Sequence, residues 1–569
     1  MTAAPAGELS GLLLAVEALR TQVSAARLPL DLPDAAAAST VRTELMNQLD
    51  DYVLPRLRSL DAPLLVVVGG STGAGKSTLV NSIVGSTVTK PGVLRPTTRS
   101  PVLVHHPDDE HWFAGDRVLP GLGRITGDAS VEDPSSVRLV ASPAIEPGLA
   151  LLDAPDIDSV VASNRDLAAQ LLSAADLWLF VTTAARYADA VPWGLLRQAS
   201  ERGTSVAIVL DRVPLASSED IRDHLAGMLK EQSLSLAPIF TVPEVELGPD
   251  GLVPAERVGR LRSWLTALAR DARARTIVVR NTLSGALDSI DGRVSRLAAA
   301  STEQLAATGN LAKVADNAFA TAASGVQRGI DDGTLLRGEV MARWQEFVGT
   351  GEFFKQVETT VSRWRDRVIS FVKGEPPPAR DLGEALHSGV ATLVTAEAEA
   401  AVAQIARTWR SMPGGSMLLT RDPALAGLSR EFEEQVSRLV REWQDDVLEL
   451  VRGEGQDRRT TAKVAAYGVN GVGVILMLVT FAHTGGVSGA EAGIAGGSAV
   501  LAQKLLEAIF GDQAVRTLAA KARLALIERV NALYAAEAGR FQGAVGAVEV
   551  ARDQARRLSG AAEAVKAAR

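Results

Sequence analysis

The sequence predicts an α/β domain with a mainly parallel sheet, followed by a large all-α helical bundle that carries an apolar helical hairpin. Three observations point to this. Short β-rich runs alternate with helical stretches from Leu64 onward, and after about Ser263 the text becomes Ala-, Arg- and Glu-rich with apolar residues at three and four spacing. The third is VAAYGVNGVGVILMLVTFAH, Val464 to His483, which has no formal charge. A chain of 569 residues exceeds what one core organises, so two or three domains are expected. With 47% hydrophobic and 22% charged residues it belongs with globular proteins.

The amino terminus, MTAAPAGELSGLLLAVEALR, lacks a positive charge before its apolar run and reads as an amphipathic helix rather than a signal peptide. Apolar periodicity over residues 1 to about 60, broken by the prolines of RLPLDLPD, predicts two helices. Then come the strand-like runs LLVVV at 64–68, LALL at 149–152, LWLFV at 177–181 and SVAIVL at 205–210. In the helical text, GEPPPAR and SMPGGSM mark expected turns, and Trp344, Trp364, Trp409 and Trp443 are expected in the core. His105 and His106 have no metal-ligand partners nearby and are expected to be structural or on the surface. The chain has no cysteine, which excludes disulfides and thiolate metal sites and fits a reducing cytoplasm. A net charge of -8 gives no global basic field for nucleic acid, so no nucleic-acid partner is expected.

The sharpest motif is GSTGAGKS, Gly70, Ser71, Thr72, Gly73, Ala74, Gly75, Lys76 and Ser77, followed by Thr78, set between the strand LLVVV and the helical TLVNSIV. Glycines let successive backbone amides face phosphate oxygens, and the helix N-terminus adds a positive dipole. Lys76 is expected to reach the β and γ phosphates and Ser77 to ligate Mg2+. Asp153, which ends the strand of LLDAPD, stands where a parallel sheet places ligands and is the second metal-site candidate. In the loop GVLRPTTRSPVLV, Thr98 is favoured over Thr97 as the residue that closes onto metal and γ-phosphate.

GSTGAGKS, the threonine of TTRSP, DAPD and IVLDRVP occur in the order of the TRAFAC-class GTPases, and TRSP resembles the dynamin switch. With its flanking helices and late apolar segment the chain resembles the bacterial dynamin-like proteins, the motifs covering about 200 residues. The resemblance implies an α/β P-loop GTPase domain plus a helical-bundle neck and stalk with an apolar hairpin. It divides the chain into N-terminal neck helices at 1–60, a GTPase domain at 61–270, a stalk at 271–460, a hairpin at 461–510 and a return helix at 511–569. It also implies GTP as substrate, Mg2+, catalysis involving Lys76 and Thr98, and a homo-oligomer or pairing with a related dynamin-like protein.

Three positions depart from the family. Thr72 stands where dynamins usually carry a glutamine, so no water-activating side chain is carried over from that position. Asp156 replaces the usual glycine of DxPG, bringing an extra negative charge to the γ-phosphate. After the strand SVAIVL, Asp211 and Arg212 are the candidate base-side residues, while Pro214 stands where the guanine-reading aspartate is usual. GTP and ATP both stay open.

Gly485, Gly489, Gly493 and Gly497 recur at intervals of four after the uncharged run, a small-residue stripe that suits close helix packing. Arg458, Arg459 and Lys463 precede the pair of segments, and Lys504, Arg516, Lys521 and Arg523 follow it. Positive flanks on both sides predict a hairpin with both ends at an anionic cytoplasmic surface, hence association with the inner face of the cell membrane. The competing expectation is a soluble nucleotide-regulated scaffold or ATPase with this segment buried or docked on a partner.

Overall fold

The computed structural model describes residues 6–89, 100–127, 133, 135–157, 162–201, 203–232, 234–331, 377–454 and 510–569. Thr98, Trp344, Trp364 and the whole 464–503 segment lie outside the described residues. The chain divides into two compact units, one of Met1–Leu28, Asp34–Glu303 and Val550–Arg569, the other of Pro29–Pro33 and Gln304–Glu549.

The first unit is built on an eight-stranded sheet: β1 (Leu64–Gly70), β2 (Val102–His105), β3 (Gly123–Thr126), β4 (Ser136–Ala141), β5 (Leu149–Asp153), β6 (Leu177–Thr183), β7 (Ser205–Val213) and β8 (Ile239–Pro243). Their spatial order is β3-β4-β2-β5-β1-β6-β7-β8. Every pairing is parallel except β2 with β5. The mainly parallel sheet expected from the sequence is therefore present.

The central strands read as unbroken apolar runs because both faces of the sheet are covered. Leu65 and Val67 enter one core with Leu152, Trp178 and Phe180, closed by residues of the helices Ala162–Ser173, Ala190–Glu201 and Ser218–Glu231. Val66 and Val68 enter the other with Leu151, Leu179 and Val181, closed by the helices Lys76–Val84 and Ala255–Arg270. Successive side chains of one strand thus anchor opposite layers.

A third core in the same unit is all helical. Val16, Leu19 and Val23 of the helix Ala6–Ala25 pack with Leu45 and Leu57, Ile290 and Leu297, and Leu558 and Val565. Chain ends distant in sequence are thereby joined in one bundle. His105, at the end of β2, is buried with its ring 5.4 Å from that of Phe113, in keeping with a structural role.

The second unit is helical. It includes the helices Pro377–Ser411, Gly415–Arg421, Phe432–Glu454 and Asp512–Gly546 and the latter part of Ala272–Asp331. Trp409 and Trp443 are buried, as their helical setting predicted, and their indole N–H groups donate to the Leu311 and Ala522 carbonyls at 3.2 and 2.8 Å. Burying an indole is inexpensive only when that donor is satisfied. The expected turn at SMPGGSM separates the helices ending at Ser411 and starting at Gly415. Of GEPPPAR only residues 377–380 lie among the described residues, within the helix Pro377–Ser411. Among the described residues no helix is long and apolar enough to cross a membrane.

Candidate functional site

The C-terminal ends of β1, β5 and β7 bring the motif residues to one edge of the sheet. Val68 pairs with Asp153 across β1 and β5, and Gly70 pairs with Val181 across β1 and β6. Gly70 must be glycine, since a Cβ there would lie 2.0 Å from the Val181 carbonyl oxygen. Gly75 enters the helix Lys76–Val84 at φ +88°, and its Cβ would sit 2.6 Å from a carboxylate oxygen of Asp211. Gly70 is fixed by the close approach of the Val181 backbone, and Gly75 by its left-handed backbone and the Asp211 side chain.

Lys76 is buried at 5% exposure, and its ammonium donates to the carbonyls of Gly70 at 2.9 Å and Ser71 at 3.0 Å and to the Asp156 carboxylate. The Ser77 hydroxyl donates to Asp153 Oδ2 at 2.7 Å. A third contributor, missed in the sequence, is Thr89, whose hydroxyl donates to the same oxygen at 2.8 Å. Asn81 holds Thr89 in place, its amide group donating to the Thr89 carbonyl at 2.8 Å and accepting the Thr89 N–H at 3.0 Å.

Asp153 is fully buried, and its Oδ1 has no hydrogen-bond partner among the described residues. Burial pushes its carboxyl above the ordinary carboxylate range, against the hydrogen bonds from Ser77 and Thr89. An unpartnered buried oxygen beside a serine hydroxyl is a hard-oxygen donor set and fits Mg2+. No group of three or more acidic or histidine side chains stands together among the described residues. Magnesium here would complete its shell with phosphate and water, as that ion does at phosphate sites.

Two arginines also reach the loop. Arg186, which the sequence reading did not single out, donates to the Thr72 carbonyl at 2.8 Å and to Asp189 at 3.0 Å. Arg212 has φ +52°, unusual for a side-chain-bearing residue, and donates to the Gly73 carbonyl at 3.0 Å. Lys76, Arg186 and Arg212 thus place three cationic groups around one loop, which suits a polyanion. Ser71 is buried, with its hydroxyl unpartnered among the described residues.

The two residues expected from the sequence on the base side, Asp211 and Arg212, differ in exposure. Asp211 is 13% exposed and faces Gly75, whereas Arg212 is 54% exposed. Pro214 leads directly into a short 3-10 turn, Leu215–Ser217. Burial pushes the Asp211 carboxyl up to about 6, outweighing the Arg212 N–H and guanidinium that favour its charged form. The folded value lies above the unfolded value of about 3.9, so the native state holds this proton more tightly. The resulting stability is present below about pH 4 and lost as pH rises towards 6. Asp211→Asn is expected to stabilise the unit by about 2 kcal/mol at pH 7 and to flatten its stability between pH 4 and 6, read by denaturant unfolding across that range.

Residues 66–213 match a family model described as the dynamin family. Two solved chains described as an oligomerised bacterial dynamin pair that senses and tethers membranes are also similar. The first has 9% identity and a TM-score of 0.44, with 100% of this chain and 96% of that chain covered. The second has 10% identity and a TM-score of 0.44, covering 93% and 95%. No curated protein matches the sequence.

Proposed function

We propose, from the premise that residues 66–213 form a dynamin-family nucleotide domain, that the chain is a GTP-hydrolysing mechanoenzyme coupling turnover to association with an anionic membrane surface. The observation that carries this is the convergence of Lys76, Ser77 and Asp153 on one glycine-rich loop at the ends of parallel strands. Lys76 binds the β and γ phosphates, and the loop amides orient them. Ser77 and Asp153 would hold Mg2+, which when bound neutralises charge developing on the transferred phosphate. Thr98 closes onto that end of the nucleotide, and Asp211 and Arg212 border the base side. Catalysis is by positioning and electrostatics, without a covalent intermediate.

In this reading the 61–270 domain works with helices at 1–60, 271–460 and 511–569 as neck and stalk. The uncharged run and glycine stripe within 461–510 form the membrane-contacting hairpin at the inner face of the cell membrane. Partners are further copies of the chain or a related dynamin-like protein.

One experiment with the full chain tests both halves. Purified protein, its Lys76→Ala variant and a 464–503 deletion are compared for GTP and ATP affinity and for flotation with liposomes containing anionic lipid. GTP is expected to bind at least about tenfold tighter than ATP, Lys76→Ala to lose about 50-fold in affinity, and the deletion alone to lose flotation. Preferential ATP binding overturns the nucleotide assignment. Absence of lipid binding by the intact chain favours a soluble scaffold.

A further inference from the structure

Lys76 has three N–H donors, and all three are taken. The Gly70 and Ser71 carbonyls accept two, and the Asp156 carboxylate accepts the third. The carbonyls belong to the loop itself, fixed by β1 and by the helix that follows. Asp156 alone is a side chain on a separate segment, three residues beyond Asp153. With Lys76 at 5% exposure and Asp156 at 13%, the pair is largely withdrawn from water, so losing it without a replacement anion leaves a charge stranded.

A terminal phosphate engaging Lys76 therefore meets an ammonium already neutralised by a carboxylate. Both anions cannot sit at full strength on one ammonium, because like charges at contact distance in a buried setting repel strongly. We infer that Asp156 is a specificity-determining residue whose carboxylate occupies the Lys76 ammonium in place of a terminal phosphate, so that nucleoside triphosphate binds by displacing it. This rests on the nucleotide assignment of the preceding section.

The exchange has a structural consequence. The Ala154 N–H donates to the Val68 carbonyl at 3.2 Å and the Ile157 N–H to the Gly70 carbonyl at 3.4 Å, while Ile157 is buried. The segment carrying Asp156 is thus tied to β1 at both ends, and moving the carboxylate strains ties next to the loop. Displacement of Asp156 registers the presence of a third phosphate in the backbone following β5. A diphosphate brings only its β-phosphate to Lys76 and is expected to displace Asp156 less completely, giving a weaker signal.

The test compares wild type, Asp156→Asn and Asp156→Gly for equilibrium binding of a non-hydrolysable GTP analogue and of GDP, in the full chain with magnesium. Asparagine preserves shape without charge, and glycine removes the side chain, so a folding defect in one is checked by the other. Both variants are expected to bind the analogue at least about tenfold tighter than wild type, and GDP to gain by a factor at least about threefold smaller. Unchanged or weaker analogue binding in both, with GDP binding retained, overturns the exchange and leaves the nucleotide assignment standing. Failure of wild type and variants alike to bind either nucleotide overturns both.

Discussion

Arg56→Ala is expected to destabilise the first unit by about 3–5 kcal/mol, the largest stability effect of any single change considered for that unit. Arg56 pairs with Asp176, and the two side chains are 7% and 0% exposed. The guanidinium also donates to the Ala62 carbonyl at 3.0 Å and the Pro63 carbonyl at 3.2 Å, just before β1. Asp176 accepts the Leu65 N–H at 2.8 Å, and its own carbonyl accepts the Thr282 hydroxyl at 2.8 Å. One buried ion pair thus fixes the start of β1, the start of β6 and the helix beginning at Ala272. Removing the cation leaves a buried carboxylate and two carbonyls without their donor.

A double variant separates lost packing from stranded charge. Burial already pushes the Asp176 carboxyl upward, with Arg56 the largest influence in the other direction. Without Arg56 the native state favours the protonated acid still more, so the loss in Arg56→Ala is expected to shrink as pH falls and to be full at neutral pH. Arg56→Ala combined with Asp176→Asn should recover part of the stability at pH 7. The readouts are the thermal midpoint of the unit and hydrogen exchange at the β1 amides Leu65 to Val68. Equal exchange in Arg56→Ala and wild type would show that the pair does not hold β1.

Why the central strands were legible in the sequence and the outer strands β3, β4 and β8 were not follows from burial. All residues of β1, β5 and β6 are buried, so selection by two apolar layers leaves an unbroken apolar run. β3 has no buried residue, and Gly123, Arg124, Ile125 and Thr126 resemble loop text. β4 carries Arg138 among its apolar residues, and β8 is five residues ending in Pro243. Local pattern cannot separate such segments from turns. The candidate site divides in the same way. GSTGAGKS is contiguous and announces itself, but Thr89 reaches Asp153 across 64 positions and Asp156 reaches Lys76 across 80. Only the sheet's crossover connections bring those pairs together, and Arg186 became visible as a loop contact for the same reason.

Asp153→Asn is expected to cost about 1000-fold in magnesium-dependent GTP hydrolysis while leaving the fold at least as stable as wild type. The two effects have opposite signs because they draw on the same feature. In the protein alone a fully buried carboxylate with one oxygen unpartnered among the described residues is a liability, and its raised proton affinity reflects that. Asparagine retains an oxygen to accept from Ser77 and Thr89 and removes the charge, so chemical denaturation at pH 7 should give an equal or higher midpoint. For a divalent cation the same charge is the principal attraction the chain offers beside the phosphates. Its removal weakens the hold on the metal, and a loss of about 4 kcal/mol in transition-state stabilisation corresponds to the 1000-fold expected. A magnesium titration of turnover locates the defect: a higher metal requirement with partial recovery at saturation assigns Asp153 to metal binding. Full activity at ordinary magnesium would instead make Asp153 a buried structural acid, held by Ser77 and Thr89 and unconnected with the nucleotide.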